Sequence, residues 1–218
     1  MVHTASLIHD DLPSMDDAKA RRGRPACHLR HGEATAILAA FALLNSAYEI
    51  LAGGWAGAPD ATTRAGIARD LARAVGCDGM IAGQAMDLAM TDKAIDFPTI
   101  EFIHSRKTGM LFMAAAAVGA AAAKASAWET QAVKAYAKNL GLAFQIVDDI
   151  LDVTGGTEAG KDVGQDAKKT TFVSFSGIEG ARQLAQELVV VSQEALTGFG
   201  ARAATLRDLA RYVVARRR

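Results

Sequence analysis

W-E-T-Q-A-V-K-A-Y-A-K-N-L-G-L-A-F-Q-I-V-D-D-I-L-D-V-T, residues 128–154, is the stretch that decides the fold. Its apolar residues recur at three- and four-residue spacing and no proline interrupts it, which predicts one long amphipathic helix. The same rhythm runs through most of the chain. Only four prolines occur, Pro13, Pro25, Pro59 and Pro98, and the stretches between them are rich in Ala, Leu, Met, Gln and Glu. The expectation is an all-α fold, a single helical bundle with helices near 1–11, 30–53, 61–90, 97–107, 109–124, 128–154, 178–198 and 203–216. Thr170 to Ser176 comes closest to strand alternation and is short enough to belong to a loop or a helix start. Two charged connections, Leu12 to Arg24 and Gly155 to Lys169, interrupt the helical pattern.

With 218 residues, 50% of them hydrophobic, the chain can bury one sizeable core, and residues 1–218 are read as one domain. Its 24 Lys and Arg residues balance 24 Asp and Glu, so no global field favours nucleic acid or an anionic membrane. Any anion must be held by local groups. Cys27 and Cys77 lie 50 residues apart and form no C-x-x-C pair, which argues against a zinc site or disulfide framework and fits a reducing cytoplasm. Met110 to Ala123 is uncharged but mainly Ala and Gly, short of the roughly 20 strongly apolar residues that span a bilayer. It reads as a packed core helix, and no stable membrane insertion is expected. His3, His9, Asp10 and Asp11 interrupt any candidate signal-peptide core at the start.

The chemistry is concentrated in two acidic clusters. The first, D-D-L-P-S-M-D-D, contains Asp10, Asp11, Asp16 and Asp17 and follows an apolar run. Pro13 pushes Leu12 out of the α region, so the helix should open there and let Asp16 curl back toward Asp10. Carboxylates at such spacing repel one another unless cations sit between them. Hard oxygen ligands suit Mg²⁺, which bridges carboxylates to substrate phosphates. A solvated acidic turn at a helix end would have the same composition.

The second cluster, F-Q-I-V-D-D-I-L-D, places Asp148, Asp149 and Asp152 inside an otherwise apolar helix. Asp148 and Asp152 lie about 40° apart on one face, one turn from each other. Carboxylates on a core-facing stripe are costly without partners, and carboxylates from different helices are a standard metal site of bundles. Counter-charges follow in four groups: Arg21-Arg22-Gly23-Arg24, Arg106-Lys107-Thr108-Gly109, Gly160-Lys161-Asp162 and Lys168-Lys169-Thr170-Thr171. Arginine grips phosphate oxygens through a fixed fork and lysine supplies a compact movable charge. Together with two acidic clusters, these groups specify diphosphates held partly through metal ions and partly by direct cationic contact.

These segments resemble the trans-isoprenyl diphosphate synthases, the polyprenyl synthetase family. The resemblance rests on S-L-I-H-D-D-L-P-S-M-D-D (6–17), R-R-G-R-P (21–25), H-G-E-A (31–34), G-Q-A-M-D-L (83–88), K-T-G-M-L-F (107–112), F-Q-I-V-D-D-I-L-D (144–152) and G-K-D-V-G-Q-D-A-K-K-T-T (160–171), in that order. M-D-D-A-K-A-R-R-G-R-P (15–25) is most similar to bacterial carotenoid-pathway geranylgeranyl diphosphate synthases. The resemblance implies an isoprenoid-synthase bundle and a prenyltransferase acting on isopentenyl diphosphate and allylic diphosphates. It implies Mg²⁺ as cofactor, about three ions on a bound diphosphate, held by Asp10, Asp11 and Asp16 with Asp148, Asp149 and Asp152. Arg21, Lys107 and Lys161 match positions that touch the allylic diphosphate, assisted by Lys169, while His3 and Arg22 match positions that hold isopentenyl diphosphate. Thr108 and Gln145 would line the site near the reacting carbons. Asp10, Asp11, Asp16, Arg21, Lys107, Asp148 and Lys161 are thus the expected catalytic set.

Family members carry about three helices before the first aspartate motif, including a Gly-Lys-x-x-Arg segment for isopentenyl diphosphate. This chain starts inside the next helix, so the bundle is expected to lack its N-terminal helices. Product length in such enzymes depends on side chains below the first motif. Ala5 and Ser6 are small there, which favours geranylgeranyl diphosphate over farnesyl diphosphate. The competing readings are a catalytically weak partner subunit of a full-length synthase and an ionisation-first terpene cyclase, which usually replaces the second motif by a mixed Asn/Ser/Glu one. A homodimer is expected from the resemblance and from the apolar surfaces of Ala36 to Leu51 and Ala114 to Ala123. Gly83, Gln84 and Asp87 share a helix face, either supporting the metal site or forming a packed glycine beside a Gln–Asp pair.

Overall fold

The computed structural model describes residues 1–155 and 170–216. Contacts divide the chain into two compact units, Met1–Ala68 together with 153–155, and Arg69–Asp152 together with 170–216. The fold is all-α apart from one two-residue ladder among the described residues.

The first unit holds α1 (Val2–Asp10), β1 (Ala20–Arg21), β2 (Arg24–Pro25), α2 (Cys27–His31), α3 (Glu33–Gly53) and the start of α4 (Ala61–Val75). Both α1 and α2 pack on α3. Ala5 is the buried residue of α1, and Ala36 and Ala40 are buried on α3; side chains this small let helix axes approach closely. His9 meets Phe41 edge-on, with ring centroids 5.6 Å apart. Arg64 of α4 donates to the carbonyls of Leu51 (3.0 Å) and Pro59 (2.8 Å), satisfying one of the acceptors that the end of α3 leaves open.

The ladder β1–β2 lies in a stretch expected to be a loop. Arg22 (φ 54°) and Gly23 (φ 72°) both occupy the left-handed region, as a two-residue type I′ hairpin turn requires. Two residues per strand are too few to show alternation. By length and composition α3 is long and apolar enough to cross a membrane. Its exposed side carries Leu38 and Phe41.

The second unit contains α5 (Met80–Met90), α6 (Phe97–His104), a π-helical turn (Ser105–Gly109), α7 (Met110–Ala122), α8 (Ala127–Thr154), α9 (Phe172–Ala195), a 3₁₀ segment (Thr197–Ala203) and α10 (Ala204–Ala215). The helix expected over 61–90 is broken between α4 and α5. A Cβ at Gly79 would collide with the Ala74 carbonyl, so the chain turns where only glycine fits. Asp96 caps α6, accepting from the Thr99 N–H at 3.0 Å, with Pro98 in the first turn.

Helix α8 spans the expected stretch and supplies both core clusters. Tyr136, Leu140 and Ala143 pack with Val189, Leu196, Ala210 and Val213. Further along, Ile146, Val147 and Ile150 pack with Ile100, Phe172, Ala181 and Ala185. The Tyr136 hydroxyl donates to the Leu206 carbonyl at 2.7 Å, and burial pushes its phenol up to about 12. Helix α9 begins earlier than the expected residue 178. A capping box between Thr171 and Ser174 starts it at Phe172, and Gly177 (φ 69°) interrupts it just before the expected start.

Candidate active site

In the first unit, α1 ends at the acidic cluster and Asp16 returns to it. The Asp16 N–H donates to the Asp10 carbonyl at 3.0 Å, with Met15 and Asp17 N–H groups bonded to Leu12. This is the curl expected from Pro13. The hairpin then brings Arg21 against Asp11: Arg21 Nε lies 3.0 Å and 3.2 Å from the two carboxylate oxygens, and Nη2 pairs with Oδ1. Asp11 is 2% exposed. Burial pulls the Arg21 guanidinium down, but the hydrogen bond to Asp11 and the charges of Asp11, Asp10 and Asp16 outweigh it and hold Arg21 above its ordinary value. A cation held this way stays charged at every physiological pH.

His3 stands at the other end of α1. Partial burial, then the charges of Arg22 and Arg21, hold its imidazole below the usual histidine value, so His3 is predominantly neutral at pH 7. Arg22 occupies the hairpin turn itself. The Ser6 hydroxyl donates to the His3 carbonyl at 2.9 Å, while Ala5 is 4% exposed. Of the two positions singled out for product length, Ala5 is therefore the one buried in packing.

In the second unit the π-helical turn displays Lys107 and Thr108. A Cβ on Gly83 of α5 would strike the Lys107 backbone, so this glycine allows the turn to lie directly on α5. One turn further along α5, Asp87 accepts from Lys107 Nζ at 2.8 Å. Asp87, on the helix face of Gly83 and Gln84, thus joins α5 to the site through a Lys–Asp pair. Thr108 donates its hydroxyl to Gln145 Oε1 at 2.8 Å, and Gln145 Nε2 donates to Asp149 Oδ1 at 3.0 Å. Asp149 Oδ2 accepts from the Phe172 N–H at 3.2 Å and lies 3.8 Å from His104 Nε2.

Asp148 binds a residue that sequence reasoning passed over. Arg216, just beyond α10, donates to Asp148 Oδ1 at 2.7 Å and to the Phe144 carbonyl at 2.8 Å, and its guanidinium stacks 3.9 Å from the Phe144 ring centroid. The sequence predicts only a helix over 203–216 there, and nothing in its basic end distinguishes Arg216 from its neighbours. Asp152 sits one turn beyond Asp148, half-buried. Lys161 and Lys169 lie outside the described residues.

Among the described residues, no group of three His, Cys, Asp or Glu side chains is arranged to hold a metal ion. Asp11 is turned to Arg21 and Asp148 to Arg216. The donor chemistry nevertheless fits Mg²⁺. That ion is ordinarily bound by one or two carboxylates, with water and substrate phosphates completing the octahedron. Asp10, Asp11 and Asp16 in one unit, and Asp148 and Asp152 in the other, are hard oxygen donors of this kind.

The polyprenyl synthetase family model matches residues 1–195, and the chain belongs to that family. Geranylgeranyl pyrophosphate synthase 9, chloroplastic, of Arabidopsis thaliana is 44% identical over 99% of this chain, which spans 62% of that relative's length. Among solved structures, an FPP/GFPP synthase from Zymomonas mobilis superposes with a TM-score of 0.86 at 40% identity, covering 98% of this chain and 72% of that one. A geranyltransferase from Helicobacter pylori complexed with magnesium and isoprenyl diphosphate gives 0.85 at 32% identity, covering 98% and 70%. The bundle is thus of the isoprenoid-synthase type, as expected.

Proposed function

We propose that this chain carries out Mg²⁺-dependent head-to-tail prenyl transfer, condensing isopentenyl diphosphate with an allylic diphosphate to give geranylgeranyl diphosphate. The observation that carries the reading is the Asp10–Asp16 turn with Arg21 across Asp11: carboxylates for cations and a permanent positive charge, side by side at a helix end. The magnesium and isoprenyl diphosphate of the Helicobacter pylori geranyltransferase, and the name of the Arabidopsis relative, support the same substrate class.

In this reading Asp10, Asp11, Asp16, Asp148 and Asp152 hold Mg²⁺, which when bound neutralises charge on the departing diphosphate. Arg21 and Lys107, with Lys161 and Lys169 by resemblance, contact the allylic diphosphate directly and stabilise the charge that develops as it leaves. His3 and Arg22 hold isopentenyl diphosphate. Its double bond attacks the allylic cation, a carbon–carbon bond forms, and a proton is lost to the departed diphosphate. No protein nucleophile is required. By resemblance, the small side chain of Ala5 below the first motif favours a C20 product; farnesyl diphosphate is the alternative product, in keeping with the FPP/GFPP synthase neighbour.

We place the enzyme in the cytoplasm, in isoprenoid and carotenoid supply, as a homodimer. The exposed Leu38 and Phe41 of α3 favour a second copy as partner, because Ala36 and Ala40 already commit another face of this helix to protein packing. A monodisperse monomer in light scattering at micromolar concentration contradicts the dimer. Labelled isopentenyl diphosphate incubated with the chain, farnesyl diphosphate and Mg²⁺ tests the activity: a C20 product is expected, and the Ala5→Tyr variant should stop at C15. No elongated product in any Mg²⁺ condition sinks the reading.

A further inference from the structure

We infer that Asp149 is a positioning residue rather than a Mg²⁺ ligand: its carboxylate fixes the amide orientation of Gln145 and thereby turns the Thr108 hydroxyl. Asp149 is 1% exposed, set among Ile146, Ile150 and Phe172 in the core. Mg²⁺ keeps several waters and demands a near-octahedral shell, which a side chain enclosed this way cannot join. Each of its oxygens already receives a donor. Oδ2 takes the Phe172 N–H, an open donor in the first turn of α9, and Oδ1 takes Gln145 Nε2.

The consequence follows from donor and acceptor inventory. Asp149 Oδ1 accepts from Gln145 Nε2, so Gln145 turns its NH₂ toward Asp149 and its carbonyl away. That carbonyl is the acceptor for the Thr108 hydroxyl at 2.8 Å. The one hydroxyl hydrogen is spent on Gln145, and Thr108 Oγ1 can act toward any further group only as an acceptor. Such an oxygen opposes phosphate and favours a positively charged carbon. Resting on the prenyl-transfer reading, the relay therefore gives Thr108 the polarity suited to the allylic cation and withholds it from the diphosphate. A helix with Asp148 presented and Asp149 anchored uses two adjacent carboxylates for different tasks.

Asp149→Asn keeps the shape but offers one acceptor where two donors compete. In the full chain, the Gln145 side-chain amide signals in NMR should lose the downfield shift of their carboxylate bond. Mg²⁺-dependent binding of inorganic diphosphate, measured by calorimetry, should stay within about twofold of wild type, with kcat falling about 10- to 100-fold and KM for isopentenyl diphosphate little changed. Asp148→Asn should instead weaken diphosphate binding. The inference is overturned if Asp149→Asn loses that binding as Asp148→Asn does, or if the Gln145 amide signals do not move. Should Asp149→Asn fail to fold, Gln145→Met decides: it should show the same kcat loss with diphosphate binding intact, and an unchanged kcat overturns the relay. A wild-type chain that makes no product would sink the prenyl-transfer reading, while the Gln145 signals would still decide the orientation.

Discussion

The two aspartate motifs share letters but not surroundings. The first stands where α1 ends and the backbone folds back, with Asp10 and Asp16 half-buried around an Arg21-bound Asp11. The second lies inside α8, where Asp148 is paired at the margin and Asp149 is sealed in the core. A helix end can present several carboxylates together because the chain turns around them; a helix interior rotates each successive residue by about 100° and must assign neighbours to different environments. Spacing alone therefore does not say which carboxylate meets a ligand.

The comparison is sharpened most by removing one presented carboxylate from each motif. Asp10→Ala and Asp148→Ala should each lower turnover about 100- to 1,000-fold in a labelled-substrate assay, as for groups supporting departing charge. Near-normal rates in either variant would remove that residue from the site. Asp149→Ala should behave oppositely in kind, destabilising the fold by about 2–4 kcal/mol in urea titrations because the Phe172 N–H and the Gln145 amide lose their acceptor in the interior. An unchanged midpoint would show that Asp149 is not anchored.

A smaller effect is expected where the π-helical turn rests on α5. Gly83→Ala forces two backbones apart and should cost about 1–3 kcal/mol, while moving Lys107 away from Asp87. A variant as stable as wild type would mean that this contact is looser than the close approach implies. Smallest is Asp96→Ala, which removes the α6 cap and should cost about 1 kcal/mol in urea titrations.

The all-α class and the long helix over 128–154 were legible because their apolar spacing is the physical cause of their packing. The Asp16 turn was legible through Pro13. The hairpin was not, since its signal is two residues at positive φ and one of them is an arginine. The division of 61–90 was hidden because Gly76 and Gly79 act through backbone contacts that periodicity does not express. Within the site, Lys107, Thr108 and Gln145 could be named from the resemblance, whereas the Asp87–Lys107 bond joins residues 20 apart on two elements and Arg216–Asp148 residues 68 apart. Such partners are fixed by tertiary packing. Asp87 did carry a signal, its shared helix face with Gly83; Arg216 carried none.

The most direct test of the central claim, that these carboxylates hold Mg²⁺ only together with diphosphate, is calorimetric titration of the chain with Mg²⁺ in the absence and presence of inorganic diphosphate. Asp11 and Asp148 are engaged by arginines, and no ready-made three-ligand group exists among the described residues, so binding to the bare protein should be weak, with a Kd of about a millimolar or more. Saturating diphosphate should tighten it at least about tenfold by completing the shell. Tight Mg²⁺ binding to the bare protein, unaltered by diphosphate, would contradict the account.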